Sequence, residues 1–207
     1  MRFLDVLLGR TKRKQANLDA LFALPSAAVG LEAELGLRQA GAAGVCFRPA
    51  SGQVFEETRQ EIAELLTVSA KESGSELAQD QDSYGYHWII VRDPDLEDLV
   101  TTVHLVNATL EERGFGPQLL ASVFAFTDEL GRESGPGLAK TAGGTDPGRV
   151  AHLVYLYKRG TFYPFVPREG ERRDNELELR IRGALGGELQ IEQDLTRWFP
   201  IWGVPIP

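Results

Sequence analysis

The side chains in this 207-residue chain best suited to chemistry are three histidines, His87, His104 and His152, one cysteine, Cys46, and the carboxylate run Glu56, Glu57, Glu61 and Glu64. Histidines serve as metal ligands or proton carriers when a second histidine or a carboxylate stands at ligand spacing, and none of the three has one, so structural histidines are expected. Cys46 sits in the apolar run Gly44-Val-Cys-Phe47, where burial rather than thiolate chemistry is expected. No serine occupies a Gly-x-Ser-x-Gly turn. Gly135-Pro-Gly137 and Gly143-Gly-Thr-Asp-Pro-Gly148 lack the preceding strand, the following helix and the Lys-Ser/Thr pair of a phosphate cradle. The glutamates recur over two helical turns and read as one solvated face. No catalytic residue, no metal site and no cofactor is expected.

Three clusters offer binding rather than catalysis. Phe3, Leu4, Leu7 and Leu8 line one side of a short helical start, followed by Arg10, Lys12, Arg13 and Lys14. Such a segment either lies in a lipid interface, its cations on an anionic leaflet, or tucks its apolar side onto the domain. Tyr157, Lys158, Arg159 and Tyr163 form an aromatic hairpin with a basic tip, and Arg168, Arg172 and Arg173 after it extend a candidate cationic patch beside Phe165. The uncharged tail carrying Trp198 and Trp202 either straps the core or anchors a partner.

The elements that must position these residues centre on Tyr84 to Asp128. An aromatic and β-branched run, Tyr84 to Val91, predicts a strand. Asp93-Pro94-Asp95 then opens a helix, with Asp93 as cap and Pro94 at its first position. Leu96, Leu99, Val100, Val103, Val106 and Leu110 make its apolar stripe, Gly114 stops it, and Leu119 to Phe126 returns as a strand. Upstream, a brief turn from Asn17 ends at Pro25; Val29 to Leu37 alternates as a strand, with a helix as competitor; Gly44 to Phe47 returns; and residues 51–66 form an amphipathic helix. Segments 43–66 and 87–110 share this layout, as a diverged repeat would. Ser69 to Ser83 reads as a solvated connection and Gly131 to Gly148 as a surface insertion. Val150 to Tyr157 and Thr161 to Val166 make a hairpin whose second strand Pro164 assigns to an edge, and Asp174 or Asn175 caps a last helix through Leu177, Ile181, Ala184 and Leu185. The expected fold is α+β, a single domain with a mainly antiparallel or mixed sheet and three main helices in the order β-β-α-β-α-β-β-β-α. Residues 1–16 form an N-terminal amphipathic basic segment, 17–197 the domain with a flexible insertion at 129–149, and 198–207 a Trp/Pro-rich tail packed on it.

The net charge is −8, with a pI near 5.0, which disfavours a broad nucleic-acid face. Residues 1–14 nevertheless hold five Lys or Arg against one Asp, leaving +4 there and −12 on the rest. That asymmetry directs the front end toward something anionic. A lone cysteine fits a reducing cytoplasm, no run is long and apolar enough to span a bilayer, and the basic cluster follows the first apolar run instead of preceding it as in a signal peptide. Membrane contact is expected to be peripheral, at the inner face of the cytoplasmic membrane.

Several segments together resemble a known family. They are Phe3 to Arg10, Asn17 to Ser26, Gly44 to Phe47, Val91-Arg-Asp-Pro-Asp-Leu-Glu-Asp-Leu-Val100, Glu112-Arg-Gly-Phe-Gly-Pro117, Tyr155-Leu-Tyr-Lys-Arg-Gly-Thr-Phe-Tyr-Pro-Phe165 and Trp198-Phe-Pro-Ile-Trp-Gly-Val-Pro205. The chain is similar through nearly its whole length to the PspA-associated protein PspAB family. The resemblance implies a non-enzymatic adaptor or regulatory companion of a PspA-like protein in the phage-shock response to envelope stress, and an association with an HtpX-type membrane metalloprotease. It implies no catalytic residues. The alternative is a small-ligand sensor or an enzyme with a pocket near His152, Lys158 and Arg159, closed by the Gly131 to Gly148 loop.

Overall fold

The computed structural model describes residues 16–48, 60, 64, 74–128 and 149–207. The expected lipid-facing residues Phe3, Leu4, Leu7, Leu8, Arg10, Lys12, Arg13 and Lys14, the helix over 51–66 apart from residues 60 and 64, with the repeat built on it, and the Gly131 to Gly148 insertion lie outside the described residues.

One antiparallel sheet organises the described chain. Its strands are β1 (Arg38–Phe47), β2 (Glu76–Gln81), β3 (His87–Arg92), β4 (Leu119–Thr127), β5 (Val150–Leu156) and β6 (Thr161–Phe165), in the order β2-β3-β1-β4-β5-β6. Helices α1 (Leu24–Leu35), α2 (Leu96–Glu112) and α3 (Asn175–Leu185) complete an α+β domain, and a small ribbon, β7 (Pro167–Arg168) with β8 (Arg172–Arg173), precedes α3. Side chains alternate across a strand, so the registers assign each one to a face. The Nδ2 of Asn107 on α2 donates to the Ser122 hydroxyl at 2.9 Å, which fixes the face carrying Ser122, Phe124 and Phe126 as the one beneath the helices. On the same face Tyr155 donates its hydroxyl to the Asn17 carbonyl at 2.7 Å. The opposite face carries Gly44, Cys46, Trp88, Ala121, His152, Tyr163 and Phe165, and the C-terminal tail crosses it.

Several local expectations are corrected. Val29 to Leu37 does not form a strand, because residues 24–35 are helix α1. Its buried residues, Leu24, Ala27 and Leu31, are spaced by three and four, whereas Val29 is 70% exposed. Pro25 therefore begins a helix where it was expected to end one, following a 3-10 turn over Leu18–Ala23. Gly36, at φ 68°, closes α1 in the left-handed conformation, its N–H and that of Leu37 satisfying Glu32 and Leu31. The connection Ser69 to Ser83 contains strand β2, and β3 starts at His87 because Asp82 to Tyr86 make the turn of the β2–β3 hairpin. The described order is thus α1-β1-β2-β3-α2-β4-β5-β6-β7-β8-α3.

The cap of α2 is Asp95 in place of Asp93: its carboxylate accepts from Glu97 N at 2.8 Å and Asp98 N at 3.2 Å. Asp93 instead turns inward, buried, and accepts from Ser75 Oγ at 2.6 Å and Asp95 N at 2.8 Å. Asp174 does cap α3, accepting from Leu177 N at 3.0 Å. Pro164 lies on edge strand β6, as its missing donor requires. The outer side of that strand is bridged at Phe162, which donates to Gln190 O and accepts from Glu192 N.

Candidate functional site

A cavity of about 530 Å³ opens on the sheet face opposite the helices. Three local features create it. The first is a pair of small side chains, Cys46 and Ala121, which register opposite each other on β1 and β4 at the centre of the sheet. Next to them Gly44 lets the Trp88 ring lie close over β1: a Cβ there would come within 2.9 Å of Trp88 Cε3. The second is a bulge. Phe47 pairs with Leu119 while Cys46 pairs with Ala121, so Leu120 is the extra residue and lines the cavity beside Ala121. The third is the pair of walls, the β2–β3 turn with Tyr84 and Tyr86 on one side and tail residues Phe199 to Trp202 on the other.

Asp82, Trp88 and Tyr163 commit their polar atoms to structure here. Asp82 accepts from Tyr84 N and Tyr86 N through one oxygen and from Trp88 Nε1 through the other, all at 2.9 Å. Tyr163 donates its hydroxyl to Phe199 O at 2.9 Å. Burial, with Asp82 nearby, pushes the Cys46 thiol up to about 12, so it stays protonated and is no nucleophile near neutral pH. Tyr84 and Phe199, by contrast, are 58% and 57% exposed. The arrangement offers apolar and aromatic contact area around these settled polar atoms, which suits binding.

The tail that forms one wall is itself anchored. Trp198 is buried, stacks on Tyr163 with ring centroids 6.1 Å apart, and donates Nε1 to Glu192 O at 3.0 Å. Trp202 meets the Phe165 ring edge-on at 4.9 Å, and the Arg173 guanidinium lies over that ring, 5.3 Å from its centroid, while donating to Trp198 O. His152 donates Nε2–H to Pro207 O at 2.6 Å. Its Nδ1 is buried without a partner among the described residues, and burial lowers its pKa against the smaller opposing effect of the Pro207 bond.

The hairpin candidates separate. Tyr157 and Tyr163 are buried, Lys158 is exposed and donates to Pro117 O at 2.9 Å, and Arg159 pairs with Glu192. Glu192 is buried; desolvation raises its pKa, but bonds from Arg159, Asp194 N and Thr161 outweigh that and hold it below the usual carboxylate range. Arg168 pairs with Asp174 and Arg173 with the buried Glu178, while Arg172 donates to Glu169 O. Lys158 and Arg159 precede β6 and these three arginines follow it, roughly 15 Å further along at strand rise, so the expected single cationic patch is not formed. For the same reason His152, which pairs with Phe165 at the far end of β6, shares no site with Lys158 and Arg159. Neither do the histidines converge: His87 stacks on Phe47, and His104 lies between Phe22 and Asp19.

Of the residues singled out in the sequence, Cys46, Tyr163 and Trp202 line the cavity. Arg48, Asp82, Tyr84, Tyr86 and Phe199 escaped notice. The available signal was Asp82-Ser-Tyr-Gly-Tyr86, an Asx-type turn that sets two aromatic side chains beside a glycine at positive φ.

Fold and site together define a single α+β domain with an aromatic-lined slot beside its own tail. A family model described as PspA associated protein B matches residues 1–206, and the chain belongs to that family, PspAB, whose name denotes association with PspA. No curated protein and no solved structure matches the chain. Among the described residues no helix is long and apolar enough to cross a membrane.

Proposed function

We propose that this chain is a non-enzymatic adaptor of the phage-shock envelope-stress response, which binds a PspA-like protein through the aromatic rim of the slot. The observation that carries this reading is the exposure of Tyr84 and Phe199 on either side of a cavity in which the Asp82 carboxylate, the Trp88 indole N–H and the Tyr163 hydroxyl are already satisfied internally. Exposed aromatic side chains on a fixed scaffold supply contact area at low entropic cost, which is how interface anchors work. The family relationship supplies the partner. Residues 1–14, with Phe3, Leu4, Leu7 and Leu8 beside Arg10, Lys12, Arg13 and Lys14, supply peripheral contact with the anionic inner leaflet. An HtpX-type metalloprotease is a further partner of the same assembly.

Two experiments test the reading. In co-purification with PspA, Tyr84→Ser combined with Phe199→Ser abolishes capture while the thermal midpoint stays near that of the parent; undiminished capture by the double variant rules out the rim. In flotation with anionic liposomes, the intact chain floats and a chain starting at Gln15 does not. Equal flotation of both removes the lipid role.

A further inference from the structure

We propose that the slot is a binding site for the anion of a single-chain fatty acid, with the acyl chain on Cys46, Ala121 and Leu156 and the carboxylate on Arg48. The floor matches a narrow apolar guest. Cys46 and Ala121 are small, and Trp88 and Tyr163 beside them are buried, with their indole N–H and hydroxyl donated to Asp82 and Phe199. A hydrocarbon laid there leaves no polar group newly unpaired, whereas a polar guest finds no partner in the floor. A cavity of about 530 Å³ falls within the roughly 300–1,000 Å³ typical of small-molecule sites.

The single positive charge of the lining is Arg48. It stands just past the end of β1, two residues after Cys46, is exposed, and makes no side-chain hydrogen bond or ion pair among the described residues. The single negative charge, Asp82, is turned to three donors of its own hairpin. An apolar floor with one uncommitted guanidinium at its margin is complementary to a carboxylate on an unbranched chain. Tyr84 and Phe199 of the partner-binding rim also line this slot, so the test contains no PspA.

Trp88 and Trp202 line the slot and serve as reporters. The full chain is titrated with 9,10-dibromostearate below its aggregation threshold, following tryptophan emission. Saturable one-to-one quenching, reversed by stearate and not by stearyl alcohol, is expected. Arg48→Gln, a change at an exposed position, weakens binding about tenfold or more. Decanoate competes at least tenfold less well than stearate, since each buried methylene contributes roughly fourfold. Ala121→Phe fills the slot and removes quenching, with near-ultraviolet dichroism confirming that it folds. Absence of saturable quenching in the parent chain, unchanged affinity in Arg48→Gln, or competition by stearyl alcohol equal to that of stearate overturns the proposal. The first of these is also the outcome for a slot that takes only a partner's side chains.

Discussion

The Nε2–H of His152 on β5 meets the carbonyl of Pro207 at 2.6 Å and ties the tail to the sheet across 55 residues of sequence. Because the ring is buried with its other nitrogen unpartnered, its proton affinity in the folded chain is below the ordinary histidine value. The groups around it are Phe165, which stacks on it, and the Pro207 carbonyl.

The sign of the resulting pH dependence follows from linkage. Below about pH 6.5 the unfolded chain takes up a proton at His152 that the folded chain refuses, so stability falls as the pH is lowered from there. Urea unfolding at pH 7.5 and 5.5 should show this loss in the parent and a flatter profile in His152→Phe. Glu192 and Asp174 act in a lower window: their folded pKa values are depressed, so their contribution is present above about pH 4.5 and disappears as pH falls through the folded values.

Glu192 joins the hairpin tip to the tail. It accepts from Arg159, Thr161 Oγ1 and Asp194 N. Replacing Glu192 with Ala leaves these donors without their acceptor in a buried setting and should cost about 2–4 kcal/mol. Arg159→Ala should cost less, because its side chain is 43% exposed and its partner keeps two other donors. Denaturant midpoints of the two variants give the comparison.

Gly44 is required by the Trp88 ring. The added methyl of Gly44→Ala, 2.9 Å from Cε3, must displace the indole, with an expected penalty of about 1–3 kcal/mol and a change in tryptophan emission. Emission and midpoint both unchanged would show that the ring has room to move.

The two aspartates before α2 differ in kind. Asp95→Ala removes a helix cap and should cost about 1 kcal/mol. Asp93→Ala removes the buried acceptor of Ser75 Oγ and Asp95 N and should cost more, about 2–3 kcal/mol. Thermal unfolding of both variants distinguishes this arrangement from one capped by Asp93.

Elements with one dominant signal were legible in the sequence. Helix α2, strands β4 to β6 and the edge position of Pro164 follow from apolar spacing and a missing donor, both local properties. Helix α1 was misread because Val29, Leu31, Ala33, Leu35 and Leu37 satisfy a period of two while Leu24, Ala27 and Leu31 satisfy a helical one. The choice was made by burial against α2 and α3, which no local window contains. Strand β2, Glu-Leu-Ala-Gln-Asp-Gln, is mostly polar and is a strand through its pairing with β3.

The sequence by itself determined an α+β domain, helices α2 and α3, the β5–β6 hairpin, and the charge contrast between residues 1–14 and the rest, because composition and periodicity act within a few residues. Only the tertiary structure decided that Cys46 and Ala121 lie opposite each other, that Leu120 is squeezed out beside them, and that the tail crosses that face to leave a slot. Those relationships depend on strand register and on contacts between residues more than 70 positions apart, which the linear chain does not encode locally.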